Sequence, residues 1–333
     1  MAILAATGTA RKRLIPAVRE RDLCVIAAIH GRDHHKLAAM AAENSIAHYF
    51  TDPNQMLDEV RPDFVFIGSP PNLHREHIQM CADRNIPVLC EKPLCLSLSE
   101  AKQIRSLLEL NRTPFRLAHH LRHQPAVGAI RQLILGNSFG KLLRVAMQWS
   151  FWLNETSTNA ARKLHPSTGG PNSFYDAGVH AIDLMLHLLS PPTAVTAIAH
   201  RSRFPTTVDN VSALTLCGDV TVELSASQSM KSPLNSLTLD FEGATINVPH
   251  AFSEKSIVEV QIFAAEGLVL KKFDDVNLYG NEVEDFVALL KGSKSVGTTI
   301  QEACQTVRIL EAITEAYTVE RTIIMERIQQ WDQ

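Results

Sequence analysis

No two of the six cysteines (24, 81, 90, 95, 217 and 304) form a CxxC pair. This leaves the chain without the usual signature of a zinc site or a disulfide framework, and scattered thiols fit a reducing, cytoplasmic compartment. An excess of charge is also lacking, with 32 Lys+Arg against 35 Asp+Glu and a net charge of -3. Such a balance supplies no field to recruit nucleic acid or an anionic membrane. No apolar stretch is long enough to span a bilayer. The N-terminus runs apolar first and basic second, at Arg11-Lys12-Arg13. A secretory leader has the reverse order, so a cytoplasmic location is expected. Internal repeats and low-complexity linkers are missing too. What is present is length and apolar content: 333 residues, 45% hydrophobic, ample for a large core and more in keeping with two domains than one.

The first ~120 residues alternate short apolar runs with helical patterns. Strands are expected at Ala2–Ala5, Leu23–His30, Asp63–Gly68, Pro87–Cys90 and Phe115–His119, with helices at Ala10–Arg21, His35–Asn44, Asn72–Arg84 and Ser97–Leu110. Strand and helix in repeated alternation predict a parallel sheet wound on both faces. Its ligand crevice lies at the carboxyl ends of the strands, where Gly31, Ser69, Glu91 and Lys92 fall. Beyond Gln124 the pattern changes to β-branched, alternating segments from Leu142–Trp149 to Leu268–Phe273. These predict a large, open and mostly antiparallel sheet with one exposed face, interrupted by a helix around His180. Helices at Glu282–Leu290 and Thr299–Thr318 close the chain and are candidates to pack back on the first domain. The fold expected is α/β, with a dinucleotide-binding domain over 1–121 and an α+β domain over 122–333.

The turn after the first strand reads Ala5-Ala6-Thr7-Gly8-Thr9-Ala10. A dinucleotide-binding turn uses GxGxxG/A, whose glycines permit a tight bend and close approach of the pyrophosphate. Here Ala5 and Thr7 each add a Cβ where the fingerprint has none. A helix N-terminus still offers N–H groups to phosphate, and hydroxyls at Thr7 and Thr9 can add to them. Thr7, Gly8, Thr9 and Ala10 are therefore the candidate phosphate loop. The second strand ends His30-Gly31-Arg32-Asp33. An NAD site usually has an acid there for the ribose hydroxyls; here Gly31 replaces it and Arg32 follows. Arginine can grip a 2′-phosphate through a charge-assisted fork, so NADP is favoured, with NAD possible. The alternative for Arg32 is an ordinary surface arginine.

Two further segments carry chemistry. Lys92 stands between Glu91 and Pro93 at a strand end, and proline holds the preceding backbone extended. The run FYDAGVHAIDLM holds Asp176, Gly178, His180 and Asp183. On a helix, Asp176 and His180 share one face. A lysine, a histidine and a carboxylate form an acid/base set for moving a proton on and off a carbinol oxygen. A metal reading for Asp176, His180 and Asp183 lacks a further ligand, so no metal is expected. His119 and His120, past the fifth expected strand, are candidates to line the pocket, His120 on the substrate side.

These residues resemble a family. The segment Asp63–Pro93, DFVFIGSPPNLHREHIQMCADRNIPVLCEKP, is similar to the core signature of the Gfo/Idh/MocA oxidoreductases, and Tyr175–Leu184 to their second motif. Arg122 and Pro125, the GKLLRV turn at Gly140 and Leu278-Tyr279-Gly280-Asn281-Glu282 match weaker marks. The resemblance covers essentially the whole chain. It implies a Rossmann domain followed by an α+β domain whose open sheet often mediates oligomers, here a homodimer or homotetramer. It also implies an NAD(P) cofactor and a sugar, polyol or related carbonyl substrate. Carried over by position, Lys92 would hold and polarise the reacting oxygen, His180 would be the general acid/base, and Asp176 would orient it and bind substrate. Ser69, Pro70, Asn72, His74, Glu91 and Lys92 would border the cofactor, and Tyr279 the substrate. The departures are the altered glycine fingerprint and the approach to Asp176, Gly169-Gly170-Pro171-Asn172-Ser173, longer by about one residue.

The expected activity is hydride transfer between a nicotinamide cofactor and a hydroxyl/ketone pair, with Lys92 and His180 as the acid/base pair. Two alternatives stand beside it: NAD-assisted cleavage of a glycosidic bond, and a non-catalytic or regulatory protein with a degraded dinucleotide loop. The sequence names no particular substrate. Arg162, Lys163 and His165, in the loop Asn154–Asn172, read either as a solvated surface or as a patch favouring an anionic one.

Overall fold

A strand covered on both faces is driven to be apolar, and the central strands of the first unit are so except at their carboxyl ends, where His30 and Glu91 fall. In this computed structural model, which describes residues 1–22, 24–157, 160–231, 235–254 and 257–325, β1 (Ala2–Leu4), β2 (Ala28–His30), β4 (Val65–Ile67) and β5 (Val88–Glu91) are buried from end to end. With β3 (His48–Phe50) and β6 (Phe115–Ala118) they form a six-stranded sheet in the order β3-β2-β1-β4-β5-β6, parallel throughout. The chain runs outward from β1 to β3 and then returns to lay β4 on the other side of β1. That reversal opens a crevice at the carboxyl ends of the strands. The helices between the strands are α1 (Ile15–Arg21), α2 (His34–Asn44), α3 (Pro53–Val60), α4 (His74–Ala82) and α5 (Leu98–Leu110). Side-chain caps start three of them: Asp33 accepts from the Lys36 N–H, Asp52 from Asn54 and Gln55, and Ser97 from Glu100.

The chain divides into two units, Met1–His123 with Asn277–Cys304, and Gln124–Val276 with Gln305–Gln333. The first unit thus takes in a helix from far along the chain, α10 (Leu278–Leu290). Asn277 caps it and also donates to the Ala17 carbonyl. Val283 and Phe286 of α10 are fully buried in the core with Ile3, Leu14, Ile29 and Phe66, and Phe286 meets Phe64 edge-on at 5.4 Å.

The second unit begins with α6 (Pro125–Leu135). After β7 (Leu142–Ser150) come two single-turn helices, α7 (Ala160–Lys163) and α8 (Pro166–Gly169), and then α9 (Gly178–Leu188). The remaining strands are β8 (Ala194–His200), β9 (Asn210–Cys217), β10 (Val220–Ser227), β11 (Asn235–Phe241), β12 (Ala244–Pro249), β13 (Val258–Ala264) and β14 (Gly267–Phe273). Helix α11 (Ile300–Val319) and β15 (Ile323–Ile324) complete it, the first turn of α11 belonging to the first unit. The nine-stranded order is β14-β13-β12-β11-β7-β10-β9-β8-β15. Only the β7/β10 pair is parallel among the pairings of this sheet.

One face carries Val145, Met147, Val222, Leu224, Leu237 and Leu239, all buried, and α9 packs against β7 and β10. The opposite face is polar over its centre. Arg144 forks to Glu223 and reaches Asp240, and Thr245 donates to Asp240. Toward one end this face exposes Ile198, Leu214 and Leu216.

The expected α/β class, with a parallel sheet followed by an open antiparallel one, is borne out. Several elements differ from the sequence expectations. β3 was not expected because it is an edge strand with two of its three residues exposed, and α3 offers only Met56 and Leu57 as buried anchors. The short strand β12 and helix α6, which contains Gly128, were likewise not anticipated. The helix expected from Ala10 opens with a wider π turn over Ala10–Leu14 before α1 begins. Leu23, the expected start of the second strand, residues 158 and 159 of the Asn154–Asn172 loop, and residues 326–333 at the end of the expected second domain lie outside the described residues.

Phe286 joins a core built by the first third of the chain. Phe286→Ala is expected to destabilise the first unit by about 3–5 kcal/mol, read as a lowered midpoint in urea unfolding. A change below about 1 kcal/mol would mean that α10 is dispensable to that core.

Candidate functional site

In the first unit the site grows from the loops at the carboxyl ends of the strands. Leaving β1, the chain turns at Ala5, whose φ is +56°. That is the left-handed region a glycine enters freely and a residue with a Cβ enters at a cost of about 1–2 kcal/mol. The backbone bend of the glycine fingerprint is therefore kept with alanine in place. Two bonds from β2 hold it: the Ala6 N–H donates to the His30 carbonyl at 2.8 Å, and the Ala5 N–H to His30 Nδ1 at 3.3 Å. Beyond the bend, Thr7 is exposed, Gly8 and Thr9 are half-buried and Ala10 is buried. A Cβ added at Gly8 would meet nothing within 4 Å, so this stretch of loop faces open space. The first N–H groups of a helix lack intrahelical acceptors and suit a phosphate.

Gly31, at the tip of β2, is closely packed. A Cβ there would lie 3.2 Å from Leu37 Cδ2 and 3.5 Å from Thr7 Cγ2. An acidic side chain at this position would have to displace Leu37 or Thr7. Arg32, next along, is exposed and has no ion-pair partner among the described residues. The end of β4 is braced from inside. His74 is fully buried, with Nε2 2.8 Å from the Ser69 carbonyl and Nδ1 3.0 Å from the Leu94 carbonyl. The ring ties the turn after β4 to the turn after Lys92 and acts on the crevice from within the fold. His77 Nδ1 meets Ser69 Oγ at 2.9 Å. Pro70 is half-buried and Asn72 exposed on the same turn.

At the end of β5, Glu91 is buried and its carboxylate accepts the Lys92 N–H at 3.2 Å, while Lys92 is half-buried. Past β6, His120 is buried and stacks on the half-buried Tyr279, with centroids 4.6 Å apart and planes at 17°. Burial drives the His120 pKa down to about 3, and the charge of nearby Lys92 pushes it the same way. Burial likewise lowers His30 and His77 to about 4, with each helped by a neighbouring histidine. All three rings are neutral at physiological pH.

In the second unit the site is the segment leading into α9. Asn172 caps the short turn Ser173–Tyr175 by accepting the Phe174 N–H at 2.9 Å. Asp176 follows, then α9, with His180 in its first turn. His180 is buried beneath Trp149, at a centroid distance of 4.4 Å, and Asp183 is buried one turn further on. Asp176 Oδ2 accepts from Lys163 Nζ at 2.6 Å and from Gln228 Nε2 at 3.2 Å. Of the loop cations weighed for an anionic substrate, Lys163 is thus engaged by Asp176. His165 instead caps α8 by accepting the Ser167 N–H.

The structure brings the phosphate-loop residues, Gly31, Arg32, Ser69, Glu91, Lys92, His120 and Tyr279 together in the first unit, and Asp176 and His180 in the second. Sequence reasoning missed Lys163 and Gln228 as partners of Asp176, His30 as the brace of the phosphate loop, and Trp149 as the cover of His180. Among the described residues, no group of His, Cys, Asp and Glu is arranged to hold a metal ion, and no helix is long and apolar enough to cross a membrane.

Comparison with known proteins adds to this geometry. A model described as an oxidoreductase family with an NAD-binding Rossmann fold matches residues 2–119, and a model of the GFO/IDH/MocA C-terminal domain matches residues 127–247. D-xylose 1-dehydrogenase (NADP(+)) 2 of Haloferax volcanii is 25% identical over 317 residues, covering 94% of this chain and 96% of that protein. The rhizopine catabolism protein MocA of Rhizobium meliloti is 26% identical over 285 residues, 82% of this chain and 81% of that one. Among solved structures, the aldose-aldose oxidoreductase from Caulobacter crescentus complexed with glycerol has a TM-score of 0.88 at 17% identity, over 97% of this chain and 98% of that one. Levoglucosan dehydrogenase in complex with NADH and levoglucosan reaches 0.86 at 16%, over 98% and 99%. At these identities the structural likeness speaks for the fold.

The depressed histidines set a pH response. An unfolded imidazole titrates near 6.5, whereas folded His120 resists protonation down to about 3. Between those values the unfolded chain binds more protons, so stability falls as pH drops through the window. His30 and His77 act with the same sign down to about 4. In urea unfolding, His120→Asn is expected to lose less stability than the parent between pH 7 and pH 5. Equal losses would show that His120 does not titrate as its burial demands.

Proposed function

The chain belongs to the Gfo/Idh/MocA oxidoreductase family, and we propose that it is an NADP-preferring dehydrogenase or reductase interconverting a hydroxyl and a ketone on a sugar or polyol. The observation that carries this reading is Lys92 at the carboxyl end of β5, on the crevice that also holds the outward-facing phosphate loop and Arg32. The residues fit the cofactor: the Thr7–Ala10 segment faces open space, and Arg32 has no ion partner among the described residues beside a Gly31 with no room for an acid. Relatives named as an NADP(+) xylose dehydrogenase, a 1,5-anhydro-D-fructose reductase and an inositol dehydrogenase lend the substrate class its support.

Thr7, Gly8, Thr9 and Ala10 would hold the pyrophosphate, and Arg32 would grip the 2′-phosphate. A nicotinamide cofactor, when bound, would supply the hydride-transfer chemistry. Lys92 binds the reacting oxygen and stabilises charge developing on it. His180 gives or takes that oxygen's proton, and Asp176 orients His180. Neutral His120, stacked on Tyr279, presents an uncharged wall beside Lys92.

Titration with NADPH and with NADH, followed by nicotinamide fluorescence, tests the cofactor assignment. NADPH is expected to bind at least tenfold more tightly. Arg32→Ala is expected to weaken NADPH by about tenfold or more while leaving NADH nearly unchanged. Failure of a folded protein to bind either nucleotide would sink the reading. For the chemistry, aldoses and polyols are screened with NADP+, beginning with D-xylose. Lys92→Ala and His180→Ala should each lower turnover by about 10²–10⁴-fold with unfolding midpoints retained. Near-normal turnover in either variant would remove that residue from the mechanism.

A further inference from the structure

The charge of Asp176, a candidate catalytic residue, is met by Lys163 at the end of α7. Lys163 Nζ lies 2.6 Å from Asp176 Oδ2, with both side chains largely shielded from solvent, at 27% and 17% exposure. The ammonium also sits 5.5 Å from the centre of the Phe151 ring. Gln228 Nε2 donates to the same carboxylate oxygen at 3.2 Å. Thirteen residues separate the lysine from the aspartate, and the path between them is narrowly constrained.

Three glycines show the constraint. A Cβ at Gly169 would overlap the Lys163 backbone, one at Gly170 (φ +89°) the Tyr175 ring, and one at Gly178 the Phe174 ring. Thr207 Oγ1 donates to the Leu164 carbonyl at 2.5 Å and Thr206 Oγ1 to the same atom at 3.1 Å, pinning the residue after the lysine. The loop is folded back on itself so that the Lys163 backbone lies against Gly169 while its ammonium reaches Asp176.

We infer that Lys163 is a positioning residue: it fixes the Asp176 carboxylate and cancels its charge next to His180, four residues on. The inference rests on His180 being the acid/base group. An uncompensated carboxylate four residues ahead of an imidazole, on the approach to its helix, would favour the imidazole's charged form. The Lys163 pairing keeps the imidazole able both to take and to give a proton. The other ionisable groups on the helix are Asp183 and His187, and Tyr175 immediately precedes Asp176. From the strands packed against α9, the facing positions are uncharged: Val145, Met147 and Trp149 of β7, and Val222, Leu224 and Ala226 of β10. Arg144 and Glu223 pair with each other on the opposite face. From α6, Arg131 donates to the His187 carbonyl at the far end of α9, and Lys163 is the cation that the structure pairs with Asp176.

The test is histidine NMR on the full-length protein labelled at the imidazole Cε1, with His180 identified by the resonance lost in His180→Gln. Lys163→Met is expected to move the His180 titration midpoint up by roughly 0.5–1 pH, and Asp176→Asn to move it down. The Lys163→Met, Asp176→Asn double variant should return it close to the parent value, and Lys163→Arg should hold it there. A purely structural lysine would not give opposite shifts that cancel. Unchanged midpoints in folded Lys163→Met and Asp176→Asn overturn the inference. Should Lys163→Met fail to fold, Lys163→Gln and Asp176→Asn carry the same comparison. None of these readings needs turnover, so loss of the dehydrogenase reading and loss of this inference are separate results. Where turnover is measurable, Lys163→Met should shift the acidic limb of the kcat profile upward in step with His180.

Discussion

A parallel sheet has no face it can leave to water, and that demand organises the first unit. Its strands are only three or four residues long, and the central ones are buried on both sides. The helices connecting them cannot complete the cover, and α10, reached after the whole open sheet, supplies Val283 and Phe286 to finish it. Once both faces are sealed, only the strand ends are left to present polar groups. The loops that carry Thr7, Arg32, Ser69 and Lys92 border the crevice, Thr7 and Arg32 exposed on it, because the rest of the sheet is closed.

The second unit obeys a different constraint. An antiparallel sheet packed on one side tolerates a polar opposite face, and the Arg144–Glu223–Asp240 cluster occupies it. The packed side receives α9, whose residues from Gly178 to Met185 are all buried. A helix that apolar can hold His180 and Asp183 only if their polar atoms are managed locally. The close glycine contacts of the preceding loop serve that end, since they let Phe174 and Tyr175 pack tightly and bring Lys163 to Asp176.

Much of this was legible in the sequence, for identifiable reasons. The apolar runs of β1, β4 and β5 have one physical interpretation, and the DAGVH spacing places an aspartate one turn from a histidine on any helix. Edge strand β3 escaped because solvent removes the requirement for apolar residues at His48 and Tyr49. The phosphate loop was read as eroded from its composition, yet Ala5 retains the left-handed bend. Composition reports which residue can adopt a conformation easily; it does not report the bonds to His30 that enforce it. Lys163 escaped for the same reason as His30. Both act across loops through contacts that no helical or strand period encodes.

Each unit fixes charge in its own way. In the first, burial strips charge from His30, His77 and His120, so three rings that might have crowded the crevice with variable charge are fixed as neutral. The candidate cations Arg32 and Lys92 then share the crevice with neutral rings. That suits groups whose proposed tasks are to bind a phosphate and an oxygen carrying developing charge, since both need a constant field. In the second unit the carboxylate of Asp176 is offset by Lys163. Each unit thus fixes charge around its candidate residues by its own means. Pairing and desolvation are the two means used, and each is applied where the local packing permits it: desolvation under a sealed sheet, pairing on a loop that solvent still reaches.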